Sequence, residues 1–282
     1  MFRPTGFISK QSSSSGRWLT RQQNDPFVRA RAGADGNNGD TLYRSRSSFK
    51  LVSMAKKYPC LLPKAGLVID LGAAPGELST AGHLRVPVVL TQYSRYRRNL
   101  GGWSQVASPK VGSRGHVIAL DLLPILPIAR NVTVLQGNFL SPPIQEELAH
   151  VIATSVASRQ KQSRTPSDDV QAEASGHPAP RVDTILSDMM ANMSGIRLRD
   201  IEASLELCQT ALGFAQGRLK SGLTKPSEAA INDKRALSMK DYRGCMLMKF
   251  FQHPLLNEFK KRQLEPVFEK VLVEKPKESR SG

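Results

Sequence analysis

Short, mostly apolar runs recur along the chain and predict its central sheet. A strand with one face in water alternates apolar and polar side chains, whereas a strand covered by helices on both faces is apolar throughout. The runs here are of the second kind, so we predict an α/β fold with a mostly parallel central sheet flanked by helices. They span residues 67–70, 116–121, 132–135, 182–186 and 245–249.

Helical spacing of apolar positions predicts two of the flanking helices, at residues 47–58 and 201–219. In the second segment, Leu205, Leu212 and Leu219 recur at intervals that place them on one face of a helix. That apolar face would pack against the sheet.

Polar stretches divide the chain into an arm and one larger domain. Residues 1–40 end in a loop rich in Gly, Asn and Asp, and we predict a basic arm there, followed by a domain over residues 41–282. Within that domain, residues 157–181 are rich in Ser, Gln, Pro and charged side chains, and residues 220–243 in Lys, Ser and Asp. We expect both to be surface insertions.

The charge of the chain favours a polyanionic partner. Forty Lys and Arg against 24 Asp and Glu give a formal net charge of +16, which attracts nucleic acid and speeds encounter with it. A protein that is merely basic remains the alternative. Apolar runs stay well below the roughly 20 residues that a membrane-spanning helix needs, so we predict no membrane span.

The N-terminal arm has the composition of a mitochondrial presequence. Its first acidic residue is Asp25, and a serine run and four basic residues come before it: Arg3, Lys10, Arg17 and Arg21. A flexible basic arm that contacts RNA would have the same composition. The three cysteines are widely spaced and include no CxxC pair, so we predict neither a disulfide framework nor a metal site. This cysteine usage indicates a reducing compartment.

A glycine-containing turn and an acidic residue indicate a nucleoside-binding crevice. The turn Asp70-Leu-Gly-Ala-Ala-Pro-Gly76 follows the first apolar run, where a doubly wound sheet binds its ligand. Asp121 ends the second run, and its carboxylate either accepts the hydroxyls of a ribose or caps the next turn. Such a turn also fits a nucleotide-dependent oxidoreductase, but the G-x-G-x-x-G pattern of a nicotinamide site is missing.

Asp188 lies two residues after the fourth apolar run, and Lys249 closes the fifth. The carboxyl ends of parallel strands are where α/β active sites lie, which favours a catalytic role for both residues. Lysine is otherwise most often a solvated surface charge. Asn192 and Ser194, in the turn after Asp188, either contact a ligand or cap the following helix.

Six motifs in order resemble those of FtsJ/RrmJ-type ribosomal RNA 2′-O-methyltransferases, and the resemblance covers about residues 12–280. Arg17-Trp-Leu-Thr-Arg-Gln22 and Asp25-Pro-Phe-Val28 are similar to the mitochondrial large-subunit branch of that family. The six motifs are Ser45-Arg-Ser-Ser-Phe-Lys50-Leu51, Asp70-Leu-Gly-Ala-Ala-Pro-Gly76, Ala119-Leu-Asp-Leu-Leu-Pro124, Leu135-Gln-Gly-Asn-Phe139, Ser187-Asp-Met-Met-Ala-Asn-Met-Ser-Gly195 and Lys249-Phe-Phe-Gln252.

This resemblance implies a Rossmann-like, S-adenosylmethionine-dependent methyltransferase in the mitochondrion. The expected reaction is 2′-O-ribose methylation of mitochondrial large-subunit rRNA, at a uridine. The expected substrate is the rRNA or the assembling large ribosomal subunit, and the expected protein is a monomer. A catalytically impaired rRNA-binding assembly factor with the same fold is the alternative from another class.

The family's Lys-Asp-Lys-Glu tetrad implies roles for Lys50, Asp188 and Lys249, with Lys249 as the proton acceptor. A second ammonium disfavours protonation of its neighbour, and Asp188 would orient both amines. Asn138 stands where the family usually has Asp facing the adenine, and an amide still accepts and donates hydrogen bonds there. The positions implied around S-adenosylmethionine are Gly76, Trp103, Asp121, Asn138 and Asp188.

The chain departs from the family pattern at two places. Residues 77–101 separate Gly76 from Gly102, and their removal restores the family's Gly-Gly-Trp-Ser-Gln, so we hypothesise that they are a translated retained intron that weakens cofactor binding. Towards the C-terminus, the tetrad glutamate and the final strand of the family are missing, and Glu278 does not take that role. We expect a truncated sequence and an unpaired sheet edge between residues 245–249 and 267–274.

Overall fold

The computed structural model describes residues 43, 45–74, 102–163, 181–191, 194–220 and 243–279. The strands of this part of the chain are β1 (Leu67–Leu71), β2 (His116–Asp121), β3 (Val132–Gln136), β4 (Thr184–Ser187) and β5 (Cys245–Met248). The helices are α1 (Arg46–Lys57), α2 (Gly102–Val111), α3 (Pro142–Ser163), α4 (Arg197–Gln216) and α5 (Pro254–Phe259), with a 3-10 turn at Pro59–Leu61 and a π-helical turn at Lys260–Leu264. No helix of the described residues is both long enough and apolar enough to cross a membrane.

The described strands form one parallel sheet in the order β3-β2-β1-β4-β5, as the apolar runs predict. β1 lies at the centre, where Ile69 pairs with Ile118 of β2 on one side and with Ile185 of β4 on the other. The chain order of the strands reverses between β1 and β4. Loops that leave the carboxyl ends of these two strands therefore turn in opposite directions and open a crevice.

Helices cover both faces of the sheet, which explains why its strands lack polar alternation. On one face, Ile69 packs in a cluster with Leu148 of α3 and Phe214 of α4. On the other face, Val68 packs with Leu51 of α1 and with residues of α2. Neighbouring residues of β1 are thus buried on opposite faces, and all five positions of the strand are buried.

α1 matches the helix predicted at residues 47–58, displaced by one residue. Ser45 caps its amino end, where the Ser45 hydroxyl accepts a hydrogen bond from the Ser48 amide. Lys56 and Lys57 occupy its last turn, where positive charge is favourable beside the free carbonyls. Because proline disfavours a helical conformation of the residue before it, the helix ends just ahead of Pro59.

The boundaries of α4 and β4 differ from the prediction. The helix predicted at 201–219 runs from Arg197 to Gln216, because the residues beyond it pair with the strand segment instead: Val182 and Leu219 form an isolated parallel bridge. β4 correspondingly begins at Thr184 rather than at residue 182 and includes Ser187.

α3 was not predicted and reaches into the range 157–181, whose first residues are therefore helical. Its start at Pro142 and Pro143 resembles a break in structure, yet proline is tolerated in the first helical turn, where its missing N–H would have no partner anyway. Residues 164–180 and 221–242 of the two predicted insertions, and residues 75–101 around the split motif, lie outside the described residues.

β5 is a sheet edge among the described strands, because it pairs with β4 and no described strand lies beyond it. The strand expected at residues 267–274 does not form, and Val267, Leu272 and Val273 are exposed. A strand needs a neighbouring ladder, and the described chain supplies none at this edge. The segment is instead held through Glu274, whose carboxylate accepts hydrogen bonds from Lys57 and Tyr58.

Candidate active site

Three strand ends meet at the crevice: the turn after β1, Asp121 at the end of β2 and Asp188 after β4. The amide of Asp188 donates to the Leu71 carbonyl at 3.1 Å, so the turns after β1 and β4 lie side by side. Gly72 has a φ of +78°, and a Cβ there would lie 2.8 Å from backbone atoms of Met189. Glycine is thus required for this close approach.

Lys249 and Asp188 are brought together, as their positions at strand ends predict. The Lys249 amide donates to the Ser187 carbonyl at 2.8 Å and extends the ladder between β4 and β5 by one residue. The Lys249 ammonium lies 2.7 Å from Asp188 Oδ1 and also donates to the Asp188 carbonyl at 2.7 Å. With exposed fractions of 30% and 15%, the two side chains are partly shielded but reachable from the crevice.

Lys50 lies in α1, whose first turn is anchored to the start of α2. The Ser48 hydroxyl donates to the Gly102 carbonyl at 2.9 Å, and the Gly102 amide donates to Ala73 at 3.2 Å. α1 is thereby connected to the turn that follows β1. Lys50 is half-buried on this helix, and its proximity to Lys249 stays a prediction.

Asp121 is half-buried, and both of its oxygens already bind main-chain amides. Oδ2 accepts from Ala74 at 2.9 Å and Oδ1 from Leu123 at 2.8 Å. Burial raises the pKa of this carboxyl. Each oxygen retains a second lone pair, so the residue caps its own turn and keeps acceptor capacity for ribose hydroxyls.

Trp103 is a core residue in this structure. Its indole is 5% exposed and donates from Nε1 to the Ser47 carbonyl at 2.8 Å, which fixes α1 against α2. Because the indole is buried, a contact between Trp103 and the cofactor would have to come from the main chain of Trp103, which directly follows Gly102.

Asn138 is exposed in the turn after β3, and its Oδ1 accepts from the Leu140 amide at 3.0 Å. The preceding residue, Gly137, donates its amide to the Asp121 carbonyl at 2.8 Å, so Asn138 lies on the Asp121 side of the crevice. Its contact with an adenine stays a prediction. Gly76 and Asn192 lie outside the described residues.

Ser194 takes part in the start of α4 rather than pointing to a ligand. Its hydroxyl and amide both donate to Asp200 Oδ1 at 2.7 Å, and the hydroxyl accepts from the Ile196 amide at 3.2 Å. These bonds satisfy free amides near the helix start, which is the capping alternative considered from the sequence.

Asp70 is a titratable residue to which the sequence analysis assigned no role. It is fully buried within β1, and its Oδ2 accepts from the Ser104 hydroxyl at 2.6 Å. Its Oδ1 is buried and has no hydrogen-bond partner among the described residues. Burial, reinforced by the charges of Asp188 and Asp121, raises the pKa of Asp70 to about 7. The sequence feature that could have revealed this buried group is a carboxyl within the otherwise apolar segment 67–71.

The carboxyl groups of Asp188 and Asp121 lie close enough to the buried Asp70 to contribute to its raised pKa. Asp70 itself is fully buried, and Asp188 is paired with Lys249 at 2.7 Å. Asp121 keeps acceptor capacity, which fits the ribose hydroxyls of a nucleoside.

A separate pocket of about 470 Å³ lies at the opposite end of the sheet. Its walls include Gly66, Asp183 and Gly244, which directly precede β1, β4 and β5. Because the crevice lies at the carboxyl ends of these strands, the pocket is not part of the candidate active site.

Comparisons with known proteins agree with this arrangement. A model of the FtsJ-like methyltransferase family matches residues 43–87 and 99–282, and leaves out residues 88–98. The chain is 30% identical over 271 residues to ribosomal RNA large subunit methyltransferase E of Marinobacter nauticus, covering 96% of this chain and 92% of the relative. It is 33% identical over 267 residues to the protein of the same name from Coxiella burnetii, covering 95% and 90%.

One solved structure shares the fold. It is described as a ribosomal RNA methyltransferase of Plasmodium falciparum, and it aligns with a TM-score of 0.52 and 20% identity over 83% of this chain and 92% of its own. At this identity the likeness supports the Rossmann-like methyltransferase architecture.

Proposed function

The chain belongs to the FtsJ-like methyltransferase family, and we propose that it methylates a ribose 2′-hydroxyl of large-subunit ribosomal RNA. The observation that carries this proposal is the ion pair of Lys249 with Asp188 at the mouth of the crevice. Both relatives compared above carry names that describe large-subunit ribosomal RNA methyltransferases, and the net charge of +16 suits such a polyanionic substrate.

The cofactor of the family is S-adenosylmethionine, and the described residues fit it. Asp121 ends β2 at the crevice and retains acceptor capacity for the ribose hydroxyls of the cofactor. When bound, the sulfonium supplies the methyl group and a good leaving group. Little covalent chemistry then remains for the protein beyond positioning and proton transfer.

Lys249 is placed to manage the proton of the attacking hydroxyl. A ribose hydroxyl is a weak acid, so its oxygen needs a base or a cation beside it as it attacks. In its neutral form, Lys249 Nζ accepts the hydroxyl proton, and Asp188 then holds the resulting ammonium in place. We expect Lys50 to be the second amine of this site, as the family's tetrad implies.

We further propose that the substrate is a uridine of mitochondrial large-subunit rRNA, either free or in the assembling subunit, and that the protein acts there as a monomer. This proposal is supported by the presequence-like composition of residues 1–40 and by the motif resemblance.

Methyl transfer to rRNA transcripts tests the proposed reaction. Purified protein, labelled S-adenosylmethionine and a large-subunit rRNA transcript should give label in alkali-resistant dinucleotides, because a 2′-O-methyl group blocks strand cleavage. Nucleoside analysis of these products should identify uridine as the acceptor. Label that is recovered only in alkali-labile nucleotides would place the methyl group on a base and contradict the proposal.

Lys249→Ala should lower the rate of methyl transfer by about 100-fold or more, since it removes the proton acceptor. The matched control is Lys261→Ala, which removes an exposed lysine of the π-helical turn Lys260–Leu264. This variant should keep the normal rate. Equal rates for both variants would refute the assigned role of Lys249.

One observation favours a second candidate, an rRNA-binding assembly factor without catalysis. The family match leaves out residues 88–98, which follow the cofactor turn along the chain. This candidate predicts that the protein binds rRNA in a salt-dependent manner but transfers no methyl group, with or without Lys249.

A further inference from the structure

Two cysteines that are far apart in sequence meet beside the pocket at the amino ends of the strands. Cys60 lies in the 3-10 turn Pro59–Leu61, and Cys245 is the first residue of β5. The 3-10 turn is in contact with β5, and the two half-buried side chains pack against one apolar cluster and interact with each other.

Both cysteines are held by well-packed backbone. The two side chains pack against the same apolar cluster, which includes Tyr58 and Leu61. The Cys245 amide donates to the Asp183 carbonyl at 3.0 Å, and this bond fixes the start of β5 against β4. The thiols are therefore kept together by the fold rather than by chance encounter of mobile loops.

The two thiols differ in reactivity. A hydrogen bond from Cys245 lowers the pKa of Cys60, whereas the same bond, together with burial, raises the pKa of Cys245. A thiolate is the nucleophilic form of cysteine, so Cys60 reacts first. Cys208 provides a contrast within the chain, because it is buried and its pKa is raised to about 11 by that burial.

Cys60 is also accessible to a small oxidant. It forms part of the wall of the pocket of about 470 Å³, together with the basic residues Lys64, Lys220 and Arg243. Of these, Lys220 is paired with Asp183 at 2.7 Å.

We propose that Cys60 and Cys245 form a reversible oxidation site, at which hydrogen peroxide converts the two thiols into a disulfide. The Cys60 thiolate attacks one peroxide oxygen, the O–O bond breaks, and the departing hydroxide takes up a proton to become water. The Cys245 sulfur then attacks the sulfenic acid on Cys60, the S–S bond forms and a second water leaves. The two thiols together lose two electrons and two protons, and the peroxide is reduced to two waters.

The disulfide would link the segment just after α1 to the first residue of β5. Lys50 lies in α1, which precedes this segment, and Lys249 directly follows β5; they are the two amines of the proposed active site. The bond closes a long loop of the chain, which restricts the unfolded state and raises the stability of the oxidised protein. This site does not depend on the proposed methyl transfer and can be tested without it.

Peptide mapping of the full chain tests the proposal. The reduced protein is treated with hydrogen peroxide, blocked with a thiol reagent, digested without reductant and analysed by mass spectrometry. The expected result is a linked pair of peptides containing Cys60 and Cys245, with Cys208 recovered as the blocked thiol, and loss of the link after dithiothreitol. The proposal is overturned if Cys60 is recovered as sulfinic acid with Cys245 still a thiol, or if both stay reduced.

Two variants sharpen the test. Cys208→Ser should keep the linked peptide, whereas Cys245→Ser should lose it and leave Cys60 as a sulfenic acid that dimedone traps. Oxidation should raise the thermal midpoint of the wild-type protein and leave that of Cys245→Ser unchanged. Two results would contradict the proposed bond: a peptide linked to Cys60 that is still found in Cys245→Ser, or equal thermal midpoints for oxidised and reduced wild type. The peptide mapping of the wild type remains decisive even if a variant fails to fold.

Discussion

Asp70→Asn should change how the stability of the protein depends on pH. Asparagine has the shape of aspartic acid, and its Oδ1 can accept the hydrogen bond that the Ser104 hydroxyl donates at 2.6 Å. Its NH2 group would take the place of the buried oxygen without a partner, and it cannot ionise. The substitution therefore removes a buried titration with little change in packing.

The size of the effect follows from the pKa of Asp70, which is raised from the ordinary 3.8 to about 7 by burial. At pH values between 3.8 and about 7, the Asp70 carboxyl is ionised in the unfolded chain and protonated in the folded chain. The folded state then binds more protons, so the free energy of unfolding falls as the pH rises through this window and levels off above it. The full difference is on the order of 4 kcal/mol, a large part of the stability of an ordinary domain.

Urea unfolding of both proteins at about pH 5 and about pH 8 measures this difference. Asp70→Asn should be more stable than the wild type at the higher pH, and this advantage should shrink by about 2–3 kcal/mol at the lower pH. Asp200→Asn is the control, because hydrogen bonds from Ser194 lower the pKa of Asp200, which is therefore ionised in both states over this range. A gap between wild type and Asp70→Asn that is equal at both pH values would refute the reasoning.

Three further predictions concern the crevice, the C-terminal segment and the turn after β1. Deletion of residues 77–101 should increase the affinity for S-adenosylmethionine, and equal affinities by calorimetric titration would contradict the expected weakening of cofactor binding by this segment. Glu274→Gln should weaken the contact with Lys57 and speed limited proteolysis of the C-terminal segment, and an unchanged cleavage rate would argue against this contact. Gly72→Ala should destabilise the protein by about 1–3 kcal/mol, because Gly72 has a positive φ and a Cβ there would lie 2.8 Å from backbone atoms of Met189. Gly213 has open space around it, so Gly213→Ala should stabilise the protein by about 0.5–1 kcal/mol. Thermal unfolding of the two variants distinguishes these effects.

The sheet could be predicted from sequence because helices on both faces force each strand to be apolar throughout. The run at residues 116–121 coincides with β2, and the others begin or end within two residues of their strands. α3 could not be recognised in the same way, since its two leading prolines and its weak apolar face resemble a loop. The start of α4 was missed because Ser194 and Asp200 define it through side-chain hydrogen bonds rather than through apolar spacing.

The site was predictable where a residue directly ends a strand. Asp188 and Lys249 come together because β4 and β5 are neighbours with their carboxyl ends aligned. The role of Asp70 was not visible, because its raised pKa depends on burial by α2 and on charges from other strands. The meeting of Cys60 and Cys245 was equally hidden, since cysteine spacing does not reveal that a turn packs against an edge strand.

The border position of β5 has a further consequence for how the protein loses activity. Among the strands that the structure describes, β5 pairs with β4 alone, through a ladder of four residue pairs that aligns Lys249, whereas β1 has neighbours on both sides. Short peripheral ladders open in local fluctuations that leave the rest of a domain intact. Under mild heat or denaturant, the reactive amine should therefore drift out of alignment while most of the protein remains native, so that inactivation precedes global unfolding.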